Sequence, residues 1–244
     1  HLFLIKACQK KNDIVVVSIF VNPTQFGPNE DFQSYPRNKK QDCVLAESAG
    51  CDIVFYPSVA TMYPRGESTT IAVPALSQGL CGAKRPGHFQ GVATVVAKLF
   101  NIVQPDHVYF GQKDYQQVSV IKKMTCDLIL PTHVHTVATY RESDGLAMSS
   151  RNRYLSPKQK KEAAVIYRSL KLAKTRITGG ERSAVKITSG IKRNIAQTSG
   201  KTDYVECVDA QTLKPLKRLQ GKCMIAVAVF FGKARLIDNI VLQI

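Results

Sequence analysis

Hydrophobic positions form a near-continuous run in residues 13–26, DIVVVSIFVNPTQF, and then give way to polar side chains. A run rich in β-branched and aromatic residues is typical of a parallel strand that is buried on both faces. Asn22 and Gln25 follow directly, at the end of the strand where open α/β sheets bind their ligands. The pattern therefore predicts an interior strand whose carboxyl end carries polar side chains that face a ligand-binding crevice.

Helical and strand patterns alternate from the first residue to about residue 140. Helices are predicted at residues 1–8, 36–49, 92–103 and 115–124, strands at 51–56, 69–73, 107–110 and 134–140, and a loop at 85–91. Pro36 near the first turn and Gly50 after the last are typical helix boundaries. Strands that alternate with helices predict a doubly wound parallel sheet.

The remaining residues predict a different, smaller unit. Residues 141–152 are polar and contain glycine, so we place a domain boundary near residue 140. A long helix is expected from Ser156 to about Arg176 and a second one at residues 184–196, followed by strands at 203–209, 224–231 and 234–242. We predict an α/β fold with a Rossmann-like parallel sheet in residues 1–140 and a small α+β domain in residues 141–244.

Charge is unevenly distributed between these parts. Residues 1–150 carry 14 basic and 12 acidic side chains, whereas residues 151–244 carry 20 basic and 6 acidic ones, within a net charge of +16. A basic C-terminal part could bind nucleic acid, cover phosphates held by the first part, or form a solvated cationic face. Seven scattered cysteines without a CxxC pair indicate reduced cytoplasmic thiols, and no apolar run is long enough to span a membrane.

The candidate chemistry lies in polar clusters that each follow a strand. The clusters are Asn22/Gln25, Arg85/His88, Lys113/Asp114/Gln116/Gln117 and Ser149/Ser150/Arg151. Neither a GxGxxG fingerprint nor a Walker loop is present, and His133 and His135 have no third metal ligand nearby in the sequence, so we interpret them as surface or core histidines. Amides, hydroxyls, three cations and one carboxylate suit positioning and charge stabilisation at a phosphate-bearing transition state.

Six blocks in these regions resemble the successive signatures of the pantoate–β-alanine ligase family. They are FVNPTQF (20–26), YPR (35–37), RPGHFQGV (85–92), FGQKDYQQ (110–117), DGLAMSSRN (144–152) and ARLIDN (234–239). Blocks that keep order and spacing over nearly the whole chain are far more specific than a single motif. The resemblance implies an adenylate-forming ligase of the nucleotidyltransferase superfamily that is cytoplasmic and homodimeric and binds neither nucleic acid nor membrane. ATP with Mg²⁺, pantoate and β-alanine are its implied ligands.

The resemblance also implies roles for individual residues. His1 matches the second histidine of the family's HxGH motif, so the first strand and the first half of that motif are expected to precede it. The implied catalytic residues are His1, Lys113, Ser149, Ser150 and Arg151, and the implied pantoate and β-alanine contacts are Asn22, Gln25, Arg85 and Gln117. ATP is expected at His1, Gly111, Gln112, Lys113, Asp114, Tyr140, Met148, Ser149, Ser150 and Arg151. No protein metal ligand is assigned.

Several alternatives remain open from the sequence. Asn22 and Gln25 could serve only to satisfy the backbone of a turn, Ser149 and Ser150 could serve only to cap a helix, and His88 could pack or bond to backbone. Lys113 could form only a structural surface pair with Asp114. At the level of function, the alternatives are a nucleotidyltransferase acting on another acid and a nucleic-acid-binding module that uses the basic C-terminal part. The favoured reading expects the small domain to close over ATP and exclude water from an acyl adenylate.

Overall fold

The computed structural model of the protein describes residues 1–28 and 30–244, which form two units. Unit one contains residues 1–111 and 116–137, and unit two contains residues 112–115 and 138–244. The short segment 112–115 precedes the predicted boundary near residue 140 but belongs to unit two. Its bonds explain this, because Asn239 donates to the carbonyls of Gln112 and Lys113, and Tyr115 donates to Ala210.

Unit one is built on two pairs of parallel strands. β1 (Val16–Ser18) pairs with β2 (Ile53–Phe55), and β3 (His107–Gly111) pairs with β4 (His133–Val137). Helices connect the paired strands, as parallel pairing requires. The predicted mixed α/β class with parallel strands is therefore confirmed.

The prediction that the first strand is buried on both faces is wrong in its extent. β1 is only three residues long, and Ile14 just before it has 65% of its surface exposed. Among the described strands, β1 is hydrogen-bonded to β2 alone, so its second edge has no ladder partner. Val15 is the buried residue of this run and packs with Ile5 and Ala46.

Seven helices lie in the described part of the first 127 residues. They are α1 (Leu2–Gln9), α2 (Lys39–Ser48), α3 (Val59–Met62), α4 (Pro74–Ser77), α5 (Leu80–Lys84), α6 (His88–Val103) and α7 (Tyr115–Asp127). α6 begins at His88, so the predicted loop 85–91 ends four residues earlier, at Gly87, whose φ of 78° turns the chain into the helix. Residues 69–73 are not a strand, because Ile71 donates its amide to the Thr94 hydroxyl at 2.9 Å instead of to a neighbouring strand.

Unit two packs three helices against an antiparallel sheet. The helices are α8 (Pro157–Ala163), α9 (Val165–Thr178) and α10 (Ala184–Ile195), and the sheet has the order β5 (Lys201–Asp209), β6 (Lys222–Phe231), β7 (Ala234–Gln243). The single long helix predicted after Ser156 is two helices that meet at Ala164.

The core of unit two lies between α9, α10 and the central strand β6. α10 buries Ile187, Ile191 and Ile195 at the spacing of one helix face, and these side chains join Ile225 and Val227 of β6 in one apolar cluster. β6 is buried over nearly its whole length because it has a strand on either side and apolar side chains on both faces. Within residues 1–28 and 30–244, no helix combines the length and apolarity that crossing a bilayer requires.

Candidate active site

The first predicted cluster forms a turn in unit one that follows β1, here called the Asn22 turn (residues 22–26). Pro23–Gln25 is a single turn of 3-10 helix, and the Asn22 side chain caps it by accepting from Thr24. Asn22 also donates to the carbonyl of Gly91 at 3.1 Å and accepts from the Tyr63 hydroxyl at 2.7 Å. Asn22 is therefore buried and holds the turn against α6, while Gln25 remains partly exposed.

Close approach between the Asn22 turn and α6 depends on Gly91. A Cβ atom at this position would overlap the carbonyl oxygen of Thr24 and would lie 2.9 Å from the amide nitrogen of Gln25. Both obstacles are backbone atoms, which cannot rotate away as a side chain can. The glycine in the RPGHFQGV block is thus a packing requirement of the turn.

Arg85 and His88 lie beside the same turn and bond to its backbone. Arg85 donates to both carboxylate oxygens of Glu30, to the carbonyl of Gln25 at 3.1 Å and to His88 Nε2 at 3.0 Å. His88 Nδ1 lies 2.7 Å from the carbonyl oxygen of Gln25. Because a carbonyl only accepts, Nδ1 carries the proton and Nε2 accepts from Arg85, which makes His88 a neutral, backbone-bonded histidine.

Glu30 and Arg85 shift each other's pKa values. Burial raises the pKa of Glu30, but the hydrogen bonds and charge of Arg85 outweigh burial and leave the pKa below its usual range. Burial lowers the pKa of Arg85, but the hydrogen bonds and charge interactions with Glu30 and Cys81 outweigh burial, so the pKa is raised. Both side chains stay ionised at neutral pH, and through Arg85 they link Glu30 to the Asn22 turn.

The other predicted residues of unit one lie at helix and strand ends. His1 is the N-cap residue of α1, and its carbonyl accepts from Leu4 and Ile5. Gly111 ends β3, and a Cβ atom there would meet no other atom within 4 Å.

Gln117 lies in the first turn of α7, next to a second glutamine that has a different environment. The buried Gln116 donates to the carbonyls of Leu76 and Gly79 and accepts from the Cys81 amide. All of its hydrogen-bonding groups therefore have partners within the fold. Gln117 is only partly buried, and it is the glutamine that the family resemblance assigns to pantoate.

In unit two, the predicted phosphate segment is a turn of 3-10 helix at Gln112–Asp114. Lys113 forms an ion pair with Asp114 at 3.1 Å, and both side chains remain partly exposed. The carbonyls of Gln112 and Lys113 accept from Asn239 Nδ2 at 2.9 and 3.0 Å. The backbone of the segment is thus fixed by β7, while its charged side chains remain accessible to solvent.

The second predicted segment of unit two is a hairpin with a helical end, here called the serine loop (residues 140–152). Met148 donates its amide to the carbonyl of Tyr140, and Arg141 pairs with Ala147 in an antiparallel bridge. Tyr140 and Met148 are 52% and 51% exposed, so an apolar and aromatic surface lies at the open end of the hairpin.

The serines sit where the hairpin turns into a short helix. Ser149 caps the 3-10 helix Ser150–Tyr154 by accepting from the amide of Arg151 at 3.3 Å. Asn152 then donates to the Glu142 carboxylate at 2.9 Å and to the carbonyl of Ala147 at 3.1 Å. These bonds fix the backbone that carries Ser150 and Arg151.

Arg141 attaches the serine loop to β7. Its guanidinium donates to both carboxylate oxygens of the buried Asp238, at 2.6 and 2.9 Å, and to the carbonyl of Gly145 at 3.1 Å. The same group lies 3.6 Å from the centre of the Tyr167 ring. Bidentate pairing together with stacking leaves the loop one favoured arrangement.

Three histidines form a separate cluster on the paired strands β3 and β4. His107 Nδ1 and His135 Nε2 are 3.1 Å apart, and the His133 ring lies 5.4 Å from that of His107. The predicted placement of His133 and His135 on one face is confirmed by the register of the strands. In the part of the chain that the structure describes, no three His, Cys, Asp or Glu side chains are arranged to hold a metal ion.

The predicted site residues are thus divided between the two units. Unit one holds His1, Asn22, Gln25, Arg85, Gly111 and Gln117, and unit two holds Gln112, Lys113, Asp114, Tyr140, Met148, Ser149, Ser150 and Arg151.

No individual role was predicted for the residues that hold these positions. They include Glu30, Gly91, Arg141, Asp238 and Asn239. A signal was present for two of them, because Asp238 and Asn239 stand side by side between the apolar pairs Leu236-Ile237 and Ile240-Val241. Adjacent polar residues inside a buried strand need specific partners.

A comparison with protein families decides the identity. A profile described as Pantoate-beta-alanine ligase matches residues 1–241. The chain belongs to the pantoate–β-alanine ligase family. The predicted family is therefore confirmed, and the match extends through both units.

Curated members of the pantoate–β-alanine ligase family resemble the chain over nearly its full length. Pantothenate synthetase of Moorella thermoacetica is 53% identical over 245 residues, which are 100% of this chain and 87% of the relative. The enzyme of Thermosipho melanesiensis is 53% identical over 241 residues, with 99% and 86% covered.

Solved structures of the family agree with the fold. Pantothenate synthetase from Thermus thermophilus superposes with a TM-score of 0.93 at 46% identity, covering 98% of this chain and 87% of that one. Pantoate–β-alanine ligase from Francisella tularensis, complexed with beta-gamma ATP and β-alanine, gives a TM-score of 0.78 at 35% identity, with 98% and 84% covered.

Proposed function

We propose that the protein joins pantoate to β-alanine at the expense of ATP, through a pantoyl adenylate. The observation that carries the proposal is the family match over residues 1–241, supported by the relative from Francisella tularensis whose structure holds beta-gamma ATP and β-alanine. A pantoate carboxylate oxygen attacks the α-phosphorus, and the bond to the β-phosphate breaks to release pyrophosphate. The β-alanine amine then attacks the acyl carbon, loses a proton, and AMP leaves.

Cations and hydroxyls supply the phosphate chemistry in this proposal. Lys113 and Arg151 neutralise charge on the phosphates, while Ser149 and Ser150 donate hydrogen bonds to phosphate oxygens. His1 is assigned to the ATP phosphates, because it lies at the N-terminus of α1, where the helix dipole favours negative charge. Gly111 and Gln112 complete the segment, and the absence of a Cβ atom at Gly111 lets a nucleotide approach the backbone closely.

The adenine is assigned to the open end of the serine loop. Tyr140 and Met148 are joined by a backbone hydrogen bond, and both side chains are about half exposed, so an aromatic ring and a thioether are accessible on neighbouring strands of the hairpin. An aromatic ring and a polarizable thioether together suit the flat face of a purine.

Pantoate is assigned to the Asn22 turn and to the start of α7. Gln25 and Gln117 are partly exposed amides that can bond to carboxylate and hydroxyl groups. Asn22 keeps the turn in place through Gly91 and Tyr63, and Arg85 holds the carbonyl of Gln25. We therefore expect Asn22 and Arg85 to affect pantoate binding chiefly through the position of Gln25.

Mg²⁺ is treated as part of the substrate Mg-ATP. Magnesium in ATP-using enzymes is held mainly by substrate phosphates and waters, with one or two protein carboxylates. The partly exposed Asp114 suits that role or a bond to a ribose hydroxyl. The bound ion would neutralise charge on the phosphates. The remaining parts of the proposal are a homodimer and a reducing, cytoplasmic location, for which the seven free thiols are suited.

Isotope transfer tests the adenylate directly. With pantoate labelled by ¹⁸O in its carboxylate, we expect the label in AMP, because the bridging oxygen leaves with the phosphate. Formation of pantothenate, AMP and pyrophosphate in equal amounts should require both pantoate and β-alanine. ADP as the product, with label in inorganic phosphate, would contradict the proposal.

A matched pair of lysine variants tests the phosphate segment. Lys113→Ala should lower kcat by roughly 10²-fold, the size expected when one transition-state donor is removed. Lys123→Ala is the control, because Lys123 lies on the exposed side of α7 and pairs only locally with Asp127. Equal activities of the two variants would remove Lys113 from the proposed site.

A further inference from the structure

We propose that Asp238 and Asn239 of β7 are positioning residues that fix the two ATP-binding segments of unit two. The inference rests on the proposed function, which assigns ATP to Gln112–Asp114 and to the serine loop. Neither residue is placed in contact with a substrate. Each acts through the backbone or through the side chain that it holds.

Asn239 fixes the first segment. It is only 4% exposed, and its Nδ2 group donates to the carbonyls of Gln112 and Lys113 at 2.9 and 3.0 Å. One amide group thus uses both of its hydrogens on consecutive residues of the turn that carries Lys113 and Asp114. Among the described residues, Asn239 Oδ1 has no hydrogen-bond partner, so the side chain serves this turn by donation alone.

Asp238 fixes the second segment. It is 3% exposed, pairs through both oxygens with Arg141, and accepts from the amide of Asn239 at 2.8 Å. Arg141 in turn holds the carbonyl of Gly145 and bridges Ala147, so the position of the hairpin depends on this carboxylate. Ser149, Ser150 and Arg151 follow the hairpin directly.

The sheet itself does not need these polar side chains. β7 is paired with β6 through its backbone, with Asp238 opposite Val227 and Asn239 opposite Ala226. Consecutive strand residues point to opposite faces, so one dipeptide serves both faces of β7. Burying polar groups is unfavourable unless they are bonded. Apart from the bond between Asp238 and the Asn239 amide, the bonds of both side chains lead outside the β5–β6–β7 ladder, to the segments that the proposed function uses.

The chain offers a matched control for each residue. Asp203 of β5 pairs with Arg235 of β7 through two bonds of 3.0 and 2.8 Å, and both side chains are largely buried. Asn194 of α10 donates to Ser169 of α9. Variants at Asp203 and Asn194 remove an ion pair and an amide bond from unit two without changing residues of either ATP-binding segment.

The kinetic test compares Asp238→Asn and Asn239→Ala with Asp203→Asn and Asn194→Ala, at a temperature where circular dichroism shows all four folded. We expect KM for ATP to rise roughly tenfold or more in the first two, because misplacement of about 1 Å is costly, while KM for pantoate changes by less than about twofold. Asp238→Glu, which keeps the charge, should recover part of the loss. Equal changes in both KM values, or equal effects in the controls, would overturn the proposal.

Hydrogen exchange provides a readout that does not depend on the activity. Amides of residues 112–114 should exchange faster in Asn239→Ala, and amides of residues 145–152 faster in Asp238→Asn, with neither change in the controls. If the wild-type protein forms no AMP, the proposed function fails, yet these local exchange rates still test the positioning. Unchanged exchange in both segments would overturn the inference, as would a uniform increase across unit two. Should Asp238→Asn not fold, Asp238→Glu and Asn239→Ala decide by the same criteria.

Discussion

The two units hold a candidate site turn by the same kind of arginine–carboxylate pair, but the carboxylate comes from a different kind of element in each unit. In unit one, Arg85 pairs with Glu30 and bonds to the Asn22 turn, and in unit two, Arg141 pairs with Asp238 and bonds to the serine loop. Each arginine spans a carboxylate and a backbone carbonyl. The carboxylate of such a pair can therefore come from a loop, as Glu30 does, or from a sheet, as Asp238 does.

The two arginine–carboxylate pairs differ in the element that supplies the carboxylate and in how far that carboxylate is buried. Glu30 comes from an irregular segment, and its side chain is 24% exposed, whereas Asp238 comes from the middle of a sheet ladder and its side chain is 2% exposed. A buried charge that loses its partner is strongly destabilising, and a partly hydrated one is less so. We therefore expect the serine loop to be more rigid than the Asn22 turn. We also expect the protein to lose more stability when the carboxylate of Asp238 is removed than when that of Glu30 is removed.

The largest expected effect comes from removing the two carboxylate charges in turn. Asp238→Asn should lower the free energy of unfolding by about 3 kcal/mol, since the largely buried Arg141 is left without a counter-charge. Glu30→Gln should lower it by about 1.5 kcal/mol, because solvent partly replaces the lost charge. Urea denaturation of both variants measures the difference. Equal losses would show that burial does not distinguish the two pairs.

One glycine of each unit lies where an added methyl group would meet other atoms. Gly91→Ala should cost about 2 to 3 kcal/mol, because the added methyl group meets backbone atoms of the Asn22 turn.

Gly145 in the serine loop is a different case. Its φ is +93°, and a Cβ atom would lie 2.6 Å from Tyr167 Cδ1, which is a side-chain atom and not a backbone atom. Gly145→Ala should therefore cost less, about 1 to 2 kcal/mol, mostly from the positive φ. The order of the two thermal midpoints is the measurement, and the reverse order would contradict this account.

Local patterns predicted much of this fold. α10 shows apolar residues at helical spacing, and the central strand β6 is a continuous apolar run, so both were predicted to within a few residues. The pattern failed where burial depends on neighbours. Residues 14–20 have the composition of an interior strand, yet Ile14 is 65% exposed and only Val16–Ser18 form β1.

The candidate site residues could be predicted from the sequence, but the residues that hold them in place could not. Motif blocks pointed to Gln25, Lys113 and Ser149 directly. The bonds that fix them join residues far apart in the chain, 97 positions for Arg141 to Asp238 and 126 for Asn239 to Lys113. Spacing within a sequence carries no signal for such pairs, so only the folded structure reveals them.

A smaller change in stability is expected when acid protonates Glu30 of unit one. The pKa of Glu30 is lowered from its usual value of 4.5, since Arg85 outweighs burial. A lowered carboxyl pKa contributes stability that is present above the unfolded value and is lost as pH falls through the folded value. The stability difference between wild type and Glu30→Gln should thus be constant at neutral pH and shrink below about pH 4.5. A difference that persists unchanged into that range would mean that the pair does not depend on the charge of Glu30.

The smallest expected effect concerns histidine, because all five histidines of the chain lie in unit one. The pKa of His135 is lowered from 6.5, first by burial and then by His107, Lys11, His133 and Lys122. The stability linked to the neutral ring is therefore complete above the unfolded pKa of 6.5 and is lost as pH falls through the lower folded value.

His135→Gln isolates this contribution, which we expect to be about 0.5 kcal/mol or less because the ring is partly exposed. Between about pH 7.5 and about pH 5.5, wild type should lose this stability while the variant does not. Hydrogen exchange should locate the loss on β3 and β4 and leave β5, β6 and β7 unchanged, because unit two has no histidine. A loss of protection in the antiparallel sheet over the same pH range would show instead that acid acts on unit two through carboxylates, and would reverse the order of sensitivity expected for the two units.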